Sequence, residues 1–555
     1  MAPLHVGTEN REPAELRARA TLLAEAREHR RSGRTTAAEE IYRRLIRDWP
    51  GDPEPRHSLG VLCARTGRPA EAIEHVASAA RLAPDHPGLL NHLGQLYFAA
   101  GRVDEAAGAY RRAIGVRPEL AEGHYNLGVL LRHQGDLAEA AASYRRAVSA
   151  DPSAPHVHVD LGLTLQQMAM RDEAIAEFRR AIALDPRSFQ AHYNLGCALA
   201  AHRQPEAAVE AYLTAIRLDP MEPWAELNLG AVLQGLNRHD EAIDHFRRAI
   251  ALAPDHAGAH VNLGGALYER GDHAGALSAL RRAIELEPTN SGTHVNLAQT
   301  LQDAGDLGGA EAAYRHALAL KPGMVLAQAH LAILLQQLGK HEEARGLLDY
   351  SRLLTRHMIE PPEDWPSVAA LNADLARAIY QHPTLMRDPP GQATMKGSQT
   401  AEVLDAIDGP IAALRRAIES AVAAYLSETV AQTPAVFAPP PAAWALRGWG
   451  VVLRSDGYQT PHFHPAGIVS GVYYVRIPEI IGSRSTGDAG FIRFGQPEVT
   501  RPDPLRPPAE LTDSVKPVEG LMILFPSYFW HNTVPFESEQ DRICIAFDVL
   551  PKAHA

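Results

Sequence analysis

Apolar and polar positions along the first two thirds of the chain follow a pattern that repeats every 34 residues. In a representative unit, AHYNLGCALAAHRQPEAAVEAYLTAIRLDP, apolar residues recur at three- and four-residue spacing on both sides of a short polar break. This spacing predicts two amphipathic helices per unit. A small residue lets the paired helices approach closely, and a proline ends the second helix. These markers recur at Gly60, Gly94, Gly128, Gly162, Gly196, Gly230, Gly264, Ala298 and Ala332, and at Pro84, Pro118, Pro152, Pro186, Pro220, Pro254, Pro288 and Pro322.

The 34-residue unit resembles the tetratricopeptide repeat. We expect the repeats to cover residues 21–345, with a degenerate first unit, because Ala26 lies 34 residues before Gly60. One unit cannot bury its own apolar face, so the units are expected to stack into an α solenoid with a concave groove. Residues 1–20 are predicted to be disordered.

A series of amides follows the same interval. Stacking is expected to align them as a ladder that suits the backbone of an extended peptide, although asparagine at this position also has a purely structural explanation. The series is Asn126, Asn194, Asn228, Asn262 and Asn296, with Asp160 in phase. It predicts a peptide or protein partner in the groove.

A series of histidines also keeps the interval. Its members are His124, His158, His192, His260 and His294. Neighbouring helices in such stacks lie about 8–10 Å apart, too far for one metal ion with ligands near 2 Å. We therefore expect these histidines to pack and not to bind metal.

The interval ends after residue 345. Residues 346–364 are predicted to be a connecting helix and linker, and helical periodicity returns in ALNADLARAIYQHP and VLDAIDGPIAALRRAIESAVAAYLSE. Short runs rich in β-branched and aromatic residues then predict strands: WGVVLRSDGY, GIVSGVYYVRIP, GFIRFGQP, LMILFP and DRICIAFDVLP. Helices followed by antiparallel strands predict an α+β domain over residues 365–555, with a β-sandwich or a jelly roll braced by helices.

The pentapeptide PHFHP at residues 461–465 carries candidate chemistry. In an extended chain, side chains two positions apart point the same way, so His462 and His464 are expected to share a face, with Phe463 opposite. Taken alone, such a pair is more often a surface or hydrogen-bonded pair than a metal site. A third histidine, His531, follows a later strand on a predicted turn.

Arg542 strengthens the pattern. It lies in the strand DRICIAF, where it shares a face with Cys544 and Ala546. An arginine directed into an interior built for apolar packing requires an anion.

The segments HFHPAGIVSGVYYVRIP, VEGLMILFPSYFWHNTVPF and DRICIAF together resemble the 2OG-Fe(II) oxygenase family with the signature H-x-H-P-x-x-x-x-S-G-x-Y-Y. The resemblance covers residues 365–551. It implies a double-stranded β-helix (jelly-roll) core, Fe(II) as cofactor, and 2-oxoglutarate and O2 as co-substrates. It also implies that His462 and His531 bind iron and that Arg542 binds the far carboxylate of 2-oxoglutarate.

His464 departs from the superfamily pattern, in which Asp or Glu usually stands two residues after the first histidine. We expect His464 to be the third ligand, since three imidazoles suit iron, although they also suit zinc and copper. Alternatively, His464 orients substrate or a water, or Asp456 or Asp488 supplies a carboxylate from a loop.

Residues near the signature supply further candidate contacts to the co-substrate. Ser470 and Tyr473 are the candidates, and alternation sends Tyr473 and Tyr474 to opposite faces. Cys544 stands where a hydroxyl residue often follows the anchoring arginine, so one contact to the keto acid is expected to be weaker.

Length and charge narrow the function classes. A chain of 555 residues is expected to hold two or more domains. A net charge of −12 argues against nucleic acid as the main partner. Three widely spaced cysteines, and the lack of an apolar leader or an apolar run long enough to span a membrane, predict a cytoplasmic protein.

The preferred interpretation is a 2-oxoglutarate-dependent dioxygenase, a hydroxylase, with a solenoid that recruits a protein, possibly as its own substrate. Hydroxylation of a small molecule stays open. The rival is a non-catalytic scaffold with a metal-binding or inactive barrel. Long repeat arrays also precede glycosyltransferase domains, but residues 365–555 are too short for two nucleotide-binding lobes.

Overall fold

The computed structural model describes residues 13–430, 443–483, 487–495 and 511–552. The chain divides into two compact units, one ending at Pro254 and one beginning at Asp255. The described residues of the first unit form helix pairs: α1 (Pro13–Arg31), α2 (Thr35–Asp48), α3 (Pro53–Arg65), α4 (Pro69–Leu82), α5 (Pro87–Ala99), α6 (Val103–Val116), α7 (Ala121–Gln134), α8 (Leu137–Ala150), α9 (Pro155–Gln167), α10 (Arg171–Leu184), α11 (Phe189–Ala201), α12 (Pro205–Leu218), α13 (Pro223–Gly235) and α14 (His239–Leu252).

In the five pairs from α5 to α14, the two helices pack closely because a glycine in the first faces an aromatic ring in the second. A Cβ atom at Gly162 would lie 2.6 Å from the ring of Phe178, and one at Gly196 would lie 2.7 Å from the ring of Tyr212. Helix α4 ends two residues before Pro84. The roles predicted for the recurring small residue and proline are therefore confirmed.

The N-terminal helix differs from expectation. Helix α1 begins at Pro13, so residues 13–20 are helical although the segment 1–20 is predicted to be disordered; residues 1–12 lie outside the described residues. Leu23 and Ala26 of α1 are buried in one cluster with Tyr42 of α2. This packing stabilises helix α1. The first repeat is degenerate, so its sequence does not predict the packing.

His124, His192 and His294 of the recurring histidines bond to the loop before their helix, whereas His158 pairs with Glu177. Nε2 of His124 donates to the carbonyl oxygen of Pro118 at 2.8 Å, and Nε2 of His294 donates to that of Pro288 at 3.0 Å. Because the carbonyl can only accept, the proton lies on Nε2. These contacts are the packing role predicted for the series.

The second unit begins with further helix pairs and continues into a sheet braced by helices. Its helices are α15 (Ala257–Glu269), α16 (His273–Leu286), α17 (Ser291–Asp303), α18 (Leu307–Leu320), α19 (Val325–Gln337), α20 (His341–Leu347), α21 (Tyr350–Leu353), α22 (Val368–Gln381) and α23 (Gly409–Tyr425), which continues into a π-helical turn (Leu426–Val430). Its strands are β1 (Thr355–Met358), β2 (Met386–Arg387), β3 (Thr394–Gln399), β4 (Trp444–His462), β5 (Val469–Arg476), β6 (Ile492–Phe494), β7 (Asp513–Val515), β8 (Leu521–Pro526), β9 (His531–Thr533) and β10 (Arg542–Pro551).

The described strands form one curled sheet with antiparallel pairing throughout. The main order is β1-β8-β5-β10-β4-β9-β6-β7, and β3 also pairs with β4 and with β2. The predicted combination of a helical solenoid and an antiparallel α+β domain is confirmed, and the jelly-roll topology stays a prediction.

Two segments have a different secondary structure from the one that the sequence predicts. The connection 346–364 contributes strand β1, which pairs with β8 at the sheet edge. Helix α23 begins only at Gly409, because Pro410 fits its first turn and could not continue a helix from Val403. The chain from Val403 to Asp408 is therefore not part of the predicted helix.

The sheet core extends into the last helix pairs. Val325, Ala329 and Ala332 of α19 are buried in one apolar cluster with residues of α22, α23 and the central strands. Helix α19 is therefore a repeat helix that also contributes to the apolar core of the sheet domain. Among the helices of the described ranges, none combines the length and apolar character that crossing a membrane requires.

Candidate metal centre

The structure brings His462, His464 and His531 together. His462 ends β4 and lies opposite His531, the first residue of β9, in an antiparallel pair. The ring centroids of these two histidines are 4.3 Å apart, and His464 lies 5.1 Å from each. One ring nitrogen of each histidine lies within 4.8 Å of the others. His531 is thus on a strand, not on the predicted turn.

Hydrogen bonds fix the orientation of all three rings. Nδ1 of His462 donates to the carbonyl oxygen of Thr460 at 2.7 Å, and Nδ1 of His531 donates to that of Phe529 at 2.9 Å. Nδ1 of His464 donates to the Asp548 carboxylate at 2.8 Å. Since these oxygens only accept, each ring carries its proton on Nδ1 and leaves the Nε2 lone pair for a ligand.

Burial keeps the rings of His462 and His531 neutral. It lowers the pKa of His462 to about 4, with a smaller contribution from the neighbouring His464 charge. Burial likewise holds the pKa of His531 well below its usual range, again assisted by the other two histidines. A neutral imidazole is the form that binds a metal.

Neither of the two loop carboxylates considered from the sequence joins this group. Asp456 lies 3.9 Å from Lys396, and Asp488 lies 3.6 Å from Arg493; both carboxylates are more than half exposed. Among the described residues, this group of potential ligands contains the three histidines alone. The idea that Asp456 or Asp488 completes the ligand set is therefore wrong.

Asp548 is a functional candidate that the sequence analysis missed. It accepts hydrogen bonds from His464 and, at 2.6 Å, from the Ser470 hydroxyl. The signal was present, because alternation along β10 places Asp548 on the same face as Arg542, Cys544 and Ala546. Ser470 therefore acts on the carboxylate that orients a histidine.

Arg542 is 1% exposed and lies beside the histidines in one cavity of about 310 Å³. Its nearest partners are the Cys544 sulfur, 3.7 Å from one guanidinium nitrogen, and the ring of Tyr474, whose centroid lies 5.1 Å from Cζ. Within the described ranges its Nε has no hydrogen-bond partner and no carboxylate pairs with it. A buried guanidinium in this state is prepared for an anion.

The two tyrosines of the signature point to opposite faces, as alternation predicts. Tyr474 faces Arg542, whereas the Tyr473 hydroxyl donates to Asn372 of α22 at 2.7 Å. Tyr473 does not line the cavity, so its predicted contact with a co-substrate is not supported by this placement. Ser470 and Cys544 do line the cavity.

In the first unit, two asparagines of the amide ladder form hydrogen bonds to residues of a neighbouring helix pair. Nδ2 of Asn126 donates to Asn91 at 3.0 Å, and Nδ2 of Asn228 donates to the Tyr193 hydroxyl at 3.0 Å. Asn194 is buried, and its Nδ2 has no partner among the residues described. These contacts supply a structural explanation for asparagine at this position.

In the second unit, the side chains of the two ladder asparagines differ in their hydrogen bonding from those of the first unit. Asn262 on α15 and Asn296 on α17 are half-buried, and no hydrogen bond of either side-chain amide is present within the described part of this unit. Their donors and acceptors are available to a ligand.

One other group of potential metal ligands occurs among the described residues, formed by Cys63, Glu71 and His75 in the first unit. Glu71 accepts a hydrogen bond from Arg68 at 3.3 Å, and burial raises the pKa of the Cys63 thiol. Both features oppose metal binding, which requires a thiolate.

Comparison with known proteins identifies two families. A family model described as "Tetratricopeptide repeat" matches more than half of the chain, over residues 23–87, 92–155, 159–223, 227–291 and 295–356, and a second model with this description matches residues 267–316. The chain belongs to the tetratricopeptide repeat family. A model described as "Putative 2OG-Fe(II) oxygenase" matches residues 447–548, so this repeat protein also carries a domain of that family. The match contains all three clustered histidines and Arg542.

Solved structures similar to this tetratricopeptide repeat protein include other repeat proteins. MamA is 27% identical, with 32% of this chain and 96% of that chain covered and a TM-score of 0.30. YrrB, described as a TPR protein with an unusual peptide-binding site, is 27% identical, with 34% and 96% covered and a TM-score of 0.31. PilF of Pseudomonas aeruginosa is 22% identical, with 39% and 98% covered and a TM-score of 0.34. No curated protein matches the chain.

The residues fit the metal and keto acid that the oxygenase family implies. Three imidazoles, each oriented through Nδ1, form a donor set that suits Fe(II), and Nε2 of His464 is a buried atom without a partner in the described ranges. The unpaired Arg542 offers a fork for a carboxylate in the same cavity.

Proposed function

We propose that this repeat protein is an Fe(II)- and 2-oxoglutarate-dependent oxygenase, a hydroxylase, that recruits a peptide or protein partner through its repeats. The observation that carries the proposal is the placement of three oriented imidazoles and one unpaired, buried arginine around a single cavity. Titratable groups that converge in one cavity, two of them histidines whose pKa is lowered by burial, favour a functional site over a packing feature.

His462, His464 and His531 are assigned as the metal ligands through Nε2. Bound Fe(II) would supply open coordination positions for 2-oxoglutarate and O2, and O2 would be the oxidant for attack on a C–H bond. The third ligand is an imidazole and not a carboxylate, so the metal keeps one more positive charge than in a two-histidine, one-carboxylate set. This charge favours a dianionic co-substrate.

The other groups of the cavity bind and orient. Arg542 is assigned to the far carboxylate of 2-oxoglutarate, which would satisfy its free Nε and neutralise its charge. Asp548 holds His464 in the tautomer that leaves Nε2 free, and Ser470 holds Asp548. Burial of His531 and Arg542 excludes water from this end of the cavity.

The repeats are assigned to partner binding. The side-chain amides of Asn262 and Asn296, which have no hydrogen bond within the described part of the second unit, can pair with the backbone of an extended segment, because a peptide has donors and acceptors at regular intervals. A protein recruited in this way is the substrate that the architecture favours.

Turnover of the keto acid tests the proposal. The full-length protein, supplied with Fe(II), O2 and 2-oxoglutarate, is expected to form succinate above background, and His531→Ala and Arg542→Ala are expected to abolish or strongly reduce it. Arg447→Ala, which removes an exposed arginine from β4, is the matched control and should retain the rate. Metal-induced thermal stabilisation without succinate, with or without candidate partners, would instead support a non-catalytic scaffold.

A further inference from the structure

His330 occupies a special place in the 34-residue interval. It lies on α19, 34 residues after Asn296, and so stands where the earlier repeats of this unit carry the ladder asparagine. Its ring stacks on Tyr314 with an interplanar angle of 3°. The Gln299 amide donates to Nε2 of His330 at 3.2 Å, so the ring accepts through Nε2. Burial lowers the pKa of His330 to about 4, and the ring is neutral at physiological pH.

The ring of His330 also contacts the two segments that carry the clustered histidines. His330 meets Phe463 edge to face at a centroid distance of 5.9 Å and meets Trp530 edge to face at 6.2 Å. Phe463 and Trp530 also contact each other at 4.8 Å. Phe463 stands between His462 and His464, and Trp530 directly precedes His531. One ring from a repeat helix therefore touches the neighbours of all three ligands.

The support is needed because strand pairing does not fix the whole cluster. His462 and His531 are paired in the sheet, but His464 lies beyond the end of β4. The β4–β9 pairing itself is irregular, with a register shift between Gln459 and His462. Three imidazoles bind one ion tightly only when their Nε2 atoms are held in a narrow geometry.

We infer that His330 is a positioning residue for the metal centre: through Phe463 and Trp530, this repeat side chain holds the ligand-bearing segments in register. The inference rests on the proposed function in that it takes the three histidines as metal ligands. It assigns the repeat helix α19 a direct part in the metal centre, beyond partner recruitment. Since α19 also packs into the sheet core, it is a rigid base for such contacts.

Zn²⁺ affinity of the full-length protein, measured by competition with a chelator, tests the inference without requiring turnover. His330→Leu keeps most of the buried volume but loses the planar ring, and its dissociation constant for Zn²⁺ is expected to rise about tenfold. His330→Phe keeps a ring against Phe463 and Trp530 and is expected to stay close to wild type. Unfolding by urea is measured on the same samples.

His294→Leu is the matched control, because His294 is a buried histidine of the same unit with a ring contact of its own, to His316 at 4.4 Å. It is expected to lose stability but not Zn²⁺ affinity. An unchanged Zn²⁺ affinity in His330→Leu, or an equal loss in His294→Leu, would overturn the inference. If His330→Leu does not fold, Phe463→Leu, which removes the contact from the other side, must show the same loss of affinity.

The two proposals fail separately. If wild-type protein binds Zn²⁺ and the His330 series behaves as expected, but Fe(II) and 2-oxoglutarate together give no complex, the oxygenase proposal fails and the positioning role stands. If wild-type protein binds no Zn²⁺, the positioning role is overturned as well.

Discussion

His462 and His531 face each other across the antiparallel pair of β4 and β9, with ring centroids 4.3 Å apart. The backbone register thus brings together two histidines that are 69 residues apart in the chain. His464 lies beyond the end of β4, where its backbone N–H donates to the carbonyl oxygen of Ser527 at 2.9 Å and its ring is oriented by the Asp548 carboxylate. The cluster therefore combines two histidines aligned by strand pairing with a third whose ring orientation depends on Asp548.

This difference predicts that Asp548→Asn selectively damages the third ligand. An amide cannot reproduce the charge that holds His464 Nδ1–H, so metal affinity should fall about 10–100-fold while the fold remains. Ser470→Ala removes only one hydrogen bond to Asp548 and should have a smaller effect. Competition titration with Zn²⁺ measures both. Wild-type affinity in Asp548→Asn would show that His464 is oriented by something else.

Replacement of Arg542 is expected to have opposite effects on the stability of the protein and on its binding of 2-oxoglutarate. A buried guanidinium without a carboxylate partner destabilises the protein, so Arg542→Met should raise the melting temperature in the absence of 2-oxoglutarate. The same change should weaken 2-oxoglutarate binding by about 2–5 kcal/mol. Differential scanning calorimetry and isothermal titration measure the two effects. Arg447→Met, at an exposed position, should change neither, and a lower melting temperature for Arg542→Met would mean that the arginine is already satisfied.

The glycine–aromatic contact in the repeats predicts a steric cost. A methyl group at Gly162 would lie 2.6 Å from the Phe178 ring, so Gly162→Ala should destabilise the protein by about 1–3 kcal/mol. Gly115, also helical, has open space around its Cβ position, so Gly115→Ala should be stabilising by about 0.5–1 kcal/mol. Urea denaturation measures both. Equal effects at the two positions would contradict close packing of the helix pair.

The buried His57 is expected to make the stability of the first unit fall at acidic pH. Burial lowers its pKa to about 4 from 6.5, with a smaller contribution from His92, whose Nδ1 lies 2.9 Å from His57 Nε2. Between these pH values the unfolded chain binds a proton that the folded chain does not. The free energy of unfolding should therefore fall as the pH is lowered from 6.5 to 4, by at most about 1.4 kcal/mol per pH unit, and should not depend on this group above that range.

Urea denaturation of wild type and His57→Gln at pH 7.5 and pH 5 measures the contribution of His57 and its pairing with His92, because the histidines that do not contact His57 act equally in both proteins. The loss of stability between the two pH values should be smaller in His57→Gln. An identical loss in both proteins would show that His57 is protonated without penalty.

Much of this architecture was predictable because its signals are local and periodic. The 34-residue interval predicts the helix pairs, and strands β4, β5, β8 and β10 are long enough to show apolar runs. The spacing of two residues predicts that His462 and His464 lie together. The anion requirement of Arg542 likewise follows from its position within an apolar strand.

The remaining features depend on contacts between distant parts of the chain. Strands β1 and β9 have four and three residues, too few to show alternation, and become strands only by pairing with β8 and with β4 and β6. Alternation separates Tyr473 from Tyr474 but cannot tell which one faces Arg542. His330 and Phe463 are 133 positions apart in the chain, so no local sequence pattern predicts their contact.

The visible spectrum of an anaerobic mixture of the protein with Fe(II) and 2-oxoglutarate tests the oxygenase site most directly. We expect a charge-transfer band of the Fe(II)–2-oxoglutarate chelate in wild type that is lost in His531→Ala, weakened in Arg542→Ala and retained in Arg447→Ala. Folded wild-type protein that shows no band at saturating Fe(II) and 2-oxoglutarate would contradict the assignment of the three histidines and Arg542 to this chemistry.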